Sequence, residues 1–115
     1  MAFEYYLAFV NTKTLYSRKA RFDEIINSGN VIIIDFWAAW CGPCRFISPV
    51  FEKLSEAISG PEFYKVDVDN EPEIAEEVGI RAMPTFVAFQ NGQKVSEVGG
   101  ADPSKLEQLV HQVSS

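Results

Sequence analysis

The chain has 115 residues, 47% of them hydrophobic and 13% aromatic, which supplies one core and leaves too little length for two domains. Ten Lys+Arg against 16 Asp+Glu give a formal net charge of −6, which argues against a nucleic-acid partner and against docking on anionic membranes, since both demand a basic face. The two cysteines, Cys41 and Cys44, are too few and too close for a disulfide-stapled scaffold, and with His111 the only histidine they do not complete a four-ligand zinc site.

Residues 2–10 are apolar and aromatic, but Glu4 interrupts them and they fall well short of the ~20 residues of a membrane span. They lack the basic start and small-residue cleavage site of a secretory signal, while Phe3, Tyr5, Leu7 and Phe9 alternate as a strand does. Lys13, Arg18, Lys19 and Arg21 downstream give a faint likeness to a mitochondrial presequence. Residues 1–11 are read as an N-terminal extension, either an extra strand or a disordered tail, and residues 12–115 as a single domain without repeats or linkers.

Phe22, Ile25 and Ile26 form a short helical face ended by Asn27-Ser28-Gly29-Asn30. Val31-Ile32-Ile33-Ile34 is a continuous β-branched run, the pattern of a strand covered on both faces. Phe46, Val50, Leu54 and Ile58, joined by Ile47 and Phe51, predict a second helix with an apolar side up to Gly60-Pro61, kinked at Pro49. Residues 63–68 are the next strand. Asn70 as N-cap and Pro72 in the first turn predict a short helix with Ile74 and Val78 inward and Gly79 as its stop. Residues 85–89 and 94–98 flank Asn91-Gly92, a strong hairpin signal. Asp102 and Pro103 then open a helix with Leu106, Leu109, Val110 and Val113 inward. The order β-α-β-α-β-α-β-β-α predicts an α/β fold, a mixed sheet with helices on both faces.

Cys41-Gly42-Pro43-Cys44 falls just after the buried strand and at a helix start. Two intervening residues there bring the sulfurs within disulfide reach, and the free N–H groups and dipole of the helix favour a thiolate. Cys41, the N-terminal and more exposed position, is the expected nucleophile, and Cys44 the resolving thiol. Half of a zinc site, or two unrelated core cysteines, are the competing readings; no second ligand pair supports the first. Asp35 follows four β-branched residues and precedes Phe36 and Trp37, so it is expected to point inward with a raised pKa and to take the proton of Cys44. Lys65, equally odd in mid-strand, would face Asp35 if the two strands are neighbours. Pro84 in Met83-Pro84-Thr85 marks a strand start, where X-Pro bonds are ordinarily trans. Trp40 reads equally as a substrate-facing or a core aromatic, and His111 as a surface residue near a helix end. Asp67, Asp69 and Glu71 suggest a calcium loop, but Pro72 stands where such a loop needs Gly, and a strand end and helix cap explain them better.

These residues closely resemble the thioredoxin family, and most of all its eukaryotic and fungal members. The matching strings are Asp35-Phe36-Trp37-Ala38-Ala39-Trp40-Cys41-Gly42-Pro43-Cys44, Lys65-Val66-Asp67-Val68-Asp69, Gly79-Ile80-Arg81-Ala82-Met83-Pro84-Thr85-Phe86 and Asn91-Gly92, and the likeness spans residues 15–113. The resemblance implies a five-stranded mixed sheet flanked by four helices and a redox-active Cys41–Cys44 disulfide. It also implies Asp35 as buried proton acceptor, Lys65 as its partner, and Pro84 as a cis-proline, the reverse of the ordinary expectation. Trp40, Ile80, Arg81, Ala82, Met83 and Gly100 would line the groove that holds a substrate strand. No cofactor is expected on the chain, electrons coming from NADPH through thioredoxin reductase and passing to disulfide-containing target proteins. Gly42-Pro43 between the cysteines resembles reducing members, whereas oxidising and isomerising relatives usually carry His before the second Cys.

Two features depart from the family: the extension 1–11, and the polar Asn11-Thr12-Lys13-Thr14 where its first strand is more apolar. The expectation is a cytoplasmic, general protein disulfide reductase, with a mitochondrial address as the alternative. The competing functions are a disulfide oxidase or isomerase domain and a binding scaffold whose groove matters more than its turnover. A monomer is expected, unless residues 2–10 add or exchange an edge strand and make a dimer.

Overall fold

The β-branched run at residues 31–34 enters the middle of a five-stranded sheet in the computed structural model, which describes residues 12–14 and 19–114. The central strand, β2 (Ile32–Trp37), pairs in parallel with β3 (Glu62–Asp67) and antiparallel with β4 (Thr85–Gln90). β1 (Thr12–Thr14) lies parallel to β3 at one edge, and β5 (Gln93–Gly99) antiparallel to β4 at the other. The helices are α1 (Lys19–Ile26), α2 (Gly42–Ala57), α3 (Pro72–Val78) and α4 (Pro103–Ser114), so the mixed sheet and element order expected from the sequence are both present.

Successive strand residues face opposite sides of a sheet, and this parity divides the core in two. Ile32, Ile34 and Phe36 pack with Phe22, Ile25 and Ile26 of α1 and Ile74 of α3. Ile33 joins Phe63 and Phe86 in packing against Ile47 and Phe51 of α2 and Leu106, Leu109 and Val110 of α4. Phe51 anchors this second layer, its ring centroid 5.6 Å from those of both Phe63 and Phe86. Asp35 has the parity of Ile33, and Lys65 that of Phe63, so both belong to the α2 side. In the parallel register Asp35 stands beside Lys65.

Two local expectations change. Phe46 is 64% exposed, and the buried stripe of α2 is Cys44, Ile47, Phe51 and Ser55 instead. Three- and four-residue steps from Cys44 reach Ile47 and Phe51, and Phe46 lies about 100° around the helix from Ile47. Asn70 does not cap α3. The N-cap residue is Glu71, which makes no side-chain capping bond, and the Asn70 amide donates to Asp67 Oδ2 at 3.2 Å. Asp67 organises that turn, accepting also from the Asp69 N–H at 2.9 Å, and this competes with a cap on the helix. Pro49 sits on an exposed position inside α2, which continues to Ala57.

In the polar first strand the buried Thr12 hydroxyl finds a partner, donating to Ser55 Oγ at 3.0 Å. The alternation at Phe3, Tyr5, Leu7 and Phe9 lies outside the described residues. At the other end of the chain Asp102 caps α4 as expected, its Oδ1 accepting from the Ser104 N–H at 3.0 Å.

The β4–β5 hairpin turns through Asn91 (φ 53°) and Gly92 (φ 81°), the two left-handed residues of a type I′ turn. The Gly92 N–H donates to the Ile26 carbonyl at 2.8 Å and ties the hairpin to α1. A Cβ at Gly92 would meet the Asn27 side chain. Gly92→Ala is expected to lower the unfolding free energy by roughly 1–2 kcal/mol, measured by urea denaturation.

Candidate functional site

The chain leaves β2 at Trp37 and turns tightly, the Cys41 N–H donating to the Ala38 carbonyl at 3.1 Å. It then enters α2 with Cys41 as N-cap residue and Pro43 in the first turn, where no N–H is required. An N-cap side chain ordinarily offers an oxygen to the free N–H groups of the first turn. Here a sulfur takes that place: Cys41 Sγ accepts from the Cys44 N–H at 3.1 Å. A negative charge on that sulfur would be met by the same N–H and by the positive end of the helix dipole.

Cys41 and Cys44 are joined in a disulfide with their Cα atoms 5.3 Å apart, an ordinary span for such a bond. Both are buried, at 4% and 2% exposure, so the greater exposure expected of Cys41 is slight. Their surroundings separate them. Cys41 Sγ lies 3.6 Å from the Met83 carbonyl oxygen, on the loop that leads into β4. Cys44 lines a cavity of about 80 Å³ with Asp35, Trp37, Arg45, Ser48 and Lys65.

The Met83-Pro84 peptide bond is cis, as the family resemblance implied. The Thr85 hydroxyl donates to the Ala82 carbonyl at 2.6 Å, and the Gly100 N–H to the Pro84 carbonyl at 2.9 Å. Met83, Pro84 and Gly100 are thereby gathered beside Cys41. Arg81 and Ala82 are exposed next to them, whereas Ile80 turns partly into the α1–α3 core. Trp40, open to two readings from the sequence, is 67% exposed, and its Nε1 donates to Asp69 Oδ2 at 3.0 Å. It is a surface residue.

Asp35 is 1% exposed, and neither carboxylate oxygen has a hydrogen-bond partner among the described residues. Burial pushes its pKa from the ordinary 3.8 to about 7; the Lys65 charge works against the rise and that of Glu52 adds to it. Lys65 does not hydrogen-bond to Asp35. Its Nζ donates to Ser48 Oγ at 2.7 Å, lies 3.8 Å from Glu52 Oε1 and sits 5.2 Å from the Trp37 ring centroid. The expected pairing is therefore electrostatic influence within one cavity, with no direct bond.

Sequence reasoning missed Ser48 and Glu52, because a serine and a glutamate on an amphipathic helix look like solvated residues. The available signal was their spacing: Cys44, Ser48 and Glu52 follow one another at four-residue steps, along one face of α2. His111 is exposed, 3.7 Å from Glu107. Among the described residues no three or more His, Cys, Asp or Glu side chains group to hold a metal ion.

Two sulfurs joined across a helix start, with a buried acid at the cavity beside the inner one, are equipped for thiol–disulfide exchange, and the class is that of the thiol–disulfide oxidoreductases. The thioredoxin family model matches residues 13–113. A thioredoxin of Malassezia sympodialis is 57% identical over 97 residues, covering 83% of this chain and 92% of that protein. The crystal structure of Malassezia sympodialis thioredoxin superposes with a TM-score of 0.88 at 52% identity, covering 92% of this chain and 93% of the other. A chain solved for the thiol resolving mechanism in yeast mitochondrial 1-Cys peroxiredoxin via glutathione/thioredoxin systems gives a TM-score of 0.82 at 37% identity, covering 88% of this chain and 94% of the other. The chain belongs to the thioredoxin family.

The raised pKa of Asp35 has a consequence for stability. Between its ordinary value of 3.8 and about 7 the folded protein holds a proton that the unfolded chain has released, so stability falls as pH rises through that window and levels off above it. Asp35→Asn is expected to flatten this slope and to stabilise the oxidised protein at pH 8 by up to roughly 4 kcal/mol, read from urea denaturation across pH.

Proposed function

We propose that this chain is a general protein disulfide reductase that takes its electrons from NADPH through thioredoxin reductase and works as a monomer in the cytoplasm. The observation that carries the reading is the placement of Cys41: its sulfur is the N-cap acceptor of α2 and lies beside the Met83 carbonyl.

In the reduced protein the Cys41 thiolate attacks one sulfur of a target disulfide. A Cys41–target disulfide forms, and the other target sulfur leaves as a thiolate. Cys44 then gives its proton to Asp35 and attacks Cys41 Sγ. The mixed disulfide breaks, the second target sulfur leaves, and Cys41–Cys44 closes. The target has gained two electrons, which the chain has lost. Thioredoxin reductase reverses the last change, so the electrons reside on sulfur throughout and the domain needs no cofactor of its own. Lys65 tunes Asp35 through its charge. Gly42 and Pro43 keep the loop between the cysteines short and stiff.

A target segment would lie along Trp40, Ile80, Arg81, Ala82, Met83 and Gly100, with cis-Pro84 behind it. The exposure of Trp40, Arg81 and Ala82 near a buried Cys41 supports that placement, because these side chains are free to meet a docking chain. The peroxiredoxin system of the yeast structural relative supports disulfide-containing proteins as the substrate class.

In an NADPH-coupled assay with thioredoxin reductase and a disulfide-bonded protein, Cys41→Ser is expected to abolish turnover. A native rate no faster than that of the variant would refute the reductase reading. Cys44→Ser is expected to accumulate mixed disulfides through Cys41, detected as reducible adducts by mass spectrometry; a binding scaffold would accumulate none.

A further inference from the structure

Asp35 and Lys65 occupy neighbouring positions on parallel strands, about 4.8 Å apart in backbone terms, and their side chains leave the sheet on the same side. A lysine so placed would ordinarily close on the carboxylate, since a charge-assisted hydrogen bond in a buried site is the strongest contact open to either group. Lys65 turns away instead. Its ammonium meets Ser48 Oγ at 2.7 Å, Glu52 Oε1 at 3.8 Å and the face of Trp37 at 5.2 Å. Two of these three contacts come from α2, the helix that also carries Cys44.

We propose that Ser48 and Glu52 are positioning residues for the resolving step, anchoring the Lys65 ammonium over Trp37 and away from the Asp35 carboxyl so that this carboxyl remains the stronger base toward Cys44. The proposal rests on the reading of Asp35 as proton acceptor. A carboxylate clasped by an ammonium is held ionised and takes a proton reluctantly; one left without a partner takes it readily. Ser48 accepts a hydrogen bond that Asp35 would otherwise accept. Glu52 supplies the counter-charge that keeps Lys65 on the helix side, and Trp37 adds a cation–π contact.

The groups facing Asp35 are few. From β3 comes Lys65; from α2 come Cys44, Arg45 and Ser48 at the cavity, with Glu52 one turn further on; from β4 the register partner is the buried, apolar Phe86. Glu52 raises the Asp35 pKa directly as well as through Lys65, whereas Ser48 carries no charge and acts through Lys65 alone. Ser48 is therefore the cleaner probe.

The test follows the Asp35 carboxyl carbon by NMR across pH in the oxidised full chain, whose cysteines do not titrate. Ser48→Ala is expected to lower the Asp35 midpoint by roughly half a unit or more. Ser48→Thr, which keeps the hydroxyl, should restore it. In a Lys65→Met background Ser48→Ala should move nothing. Glu52→Gln should also lower the midpoint, and Glu56→Gln, one turn on at an exposed position, should not. An unchanged midpoint in Ser48→Ala, or the same shift with Lys65 absent, overturns the proposal. The pH profile for resolution of a Cys41 mixed disulfide tests its premise separately. If Asp35→Asn leaves that profile unaltered, the proton-acceptor role fails whatever the NMR midpoints show. If Asp35→Asn removes the ionisation while Ser48→Ala leaves the midpoint in place, only the positioning role fails.

Discussion

A buried carboxyl without a hydrogen-bond partner costs several kcal/mol, and Asp35 carries that cost at the centre of the sheet with both oxygens unsatisfied among the described residues. Much of the surrounding structure can be understood as holding the group there. The Ile32-Ile33-Ile34 run secures β2 between two hydrophobic layers, so the strand does not slip to bring its carboxyl to water. Phe51, wedged between Phe63 and Phe86, seats α2 over the same face. The apolar core thus offsets the local instability of a buried, unpartnered carboxyl.

The two cysteines experience this arrangement differently although they are three residues apart. Cys41 belongs to the junction of strand and helix, where unpaired N–H groups already favour an acceptor and the sulfur serves as one. Cys44 has entered the first turn and faces inward to Asp35. One short loop therefore places the Cys41 sulfur in the electrostatic field of a helix end and the Cys44 sulfur at a cavity it shares with a buried carboxyl. The loop before β4 adds a further surface from the opposite side of the disulfide. Its backbone is tied to the start of α4's approach through the Gly100–Pro84 hydrogen bond.

Most of the fold was legible because its signals are local. The β-branched strand, the Asn91-Gly92 turn, the Asp102 cap and the Gly79 stop each rest on the conformational preference of the residues themselves, and all occur where expected. The misreadings fall where two local preferences compete. Phe46 is apolar enough to be buried, yet the helical phase set by Cys44, Ile47 and Phe51 leaves it outside. Asn70 is a good capping residue, but Asp67 recruits its amide for the preceding turn.

The sequence by itself determined that one acidic domain carries a vicinal thiol pair at a helix start, with a carboxylate set in an apolar strand behind it, because these are properties of neighbours along the chain. Tertiary structure decided the rest. It set Lys65 beside Asp35 and then directed its ammonium to Ser48 and Glu52, brought Met83 and Pro84 to Cys41 with a cis bond between them, and turned Trp40 outward. Each of these depends on contacts between residues far apart in sequence, made only once the strands have registered and α2 has packed. A charged side chain with several acceptors in reach takes the direction that the folded geometry favours, and no pattern along the chain records which acceptor that will be.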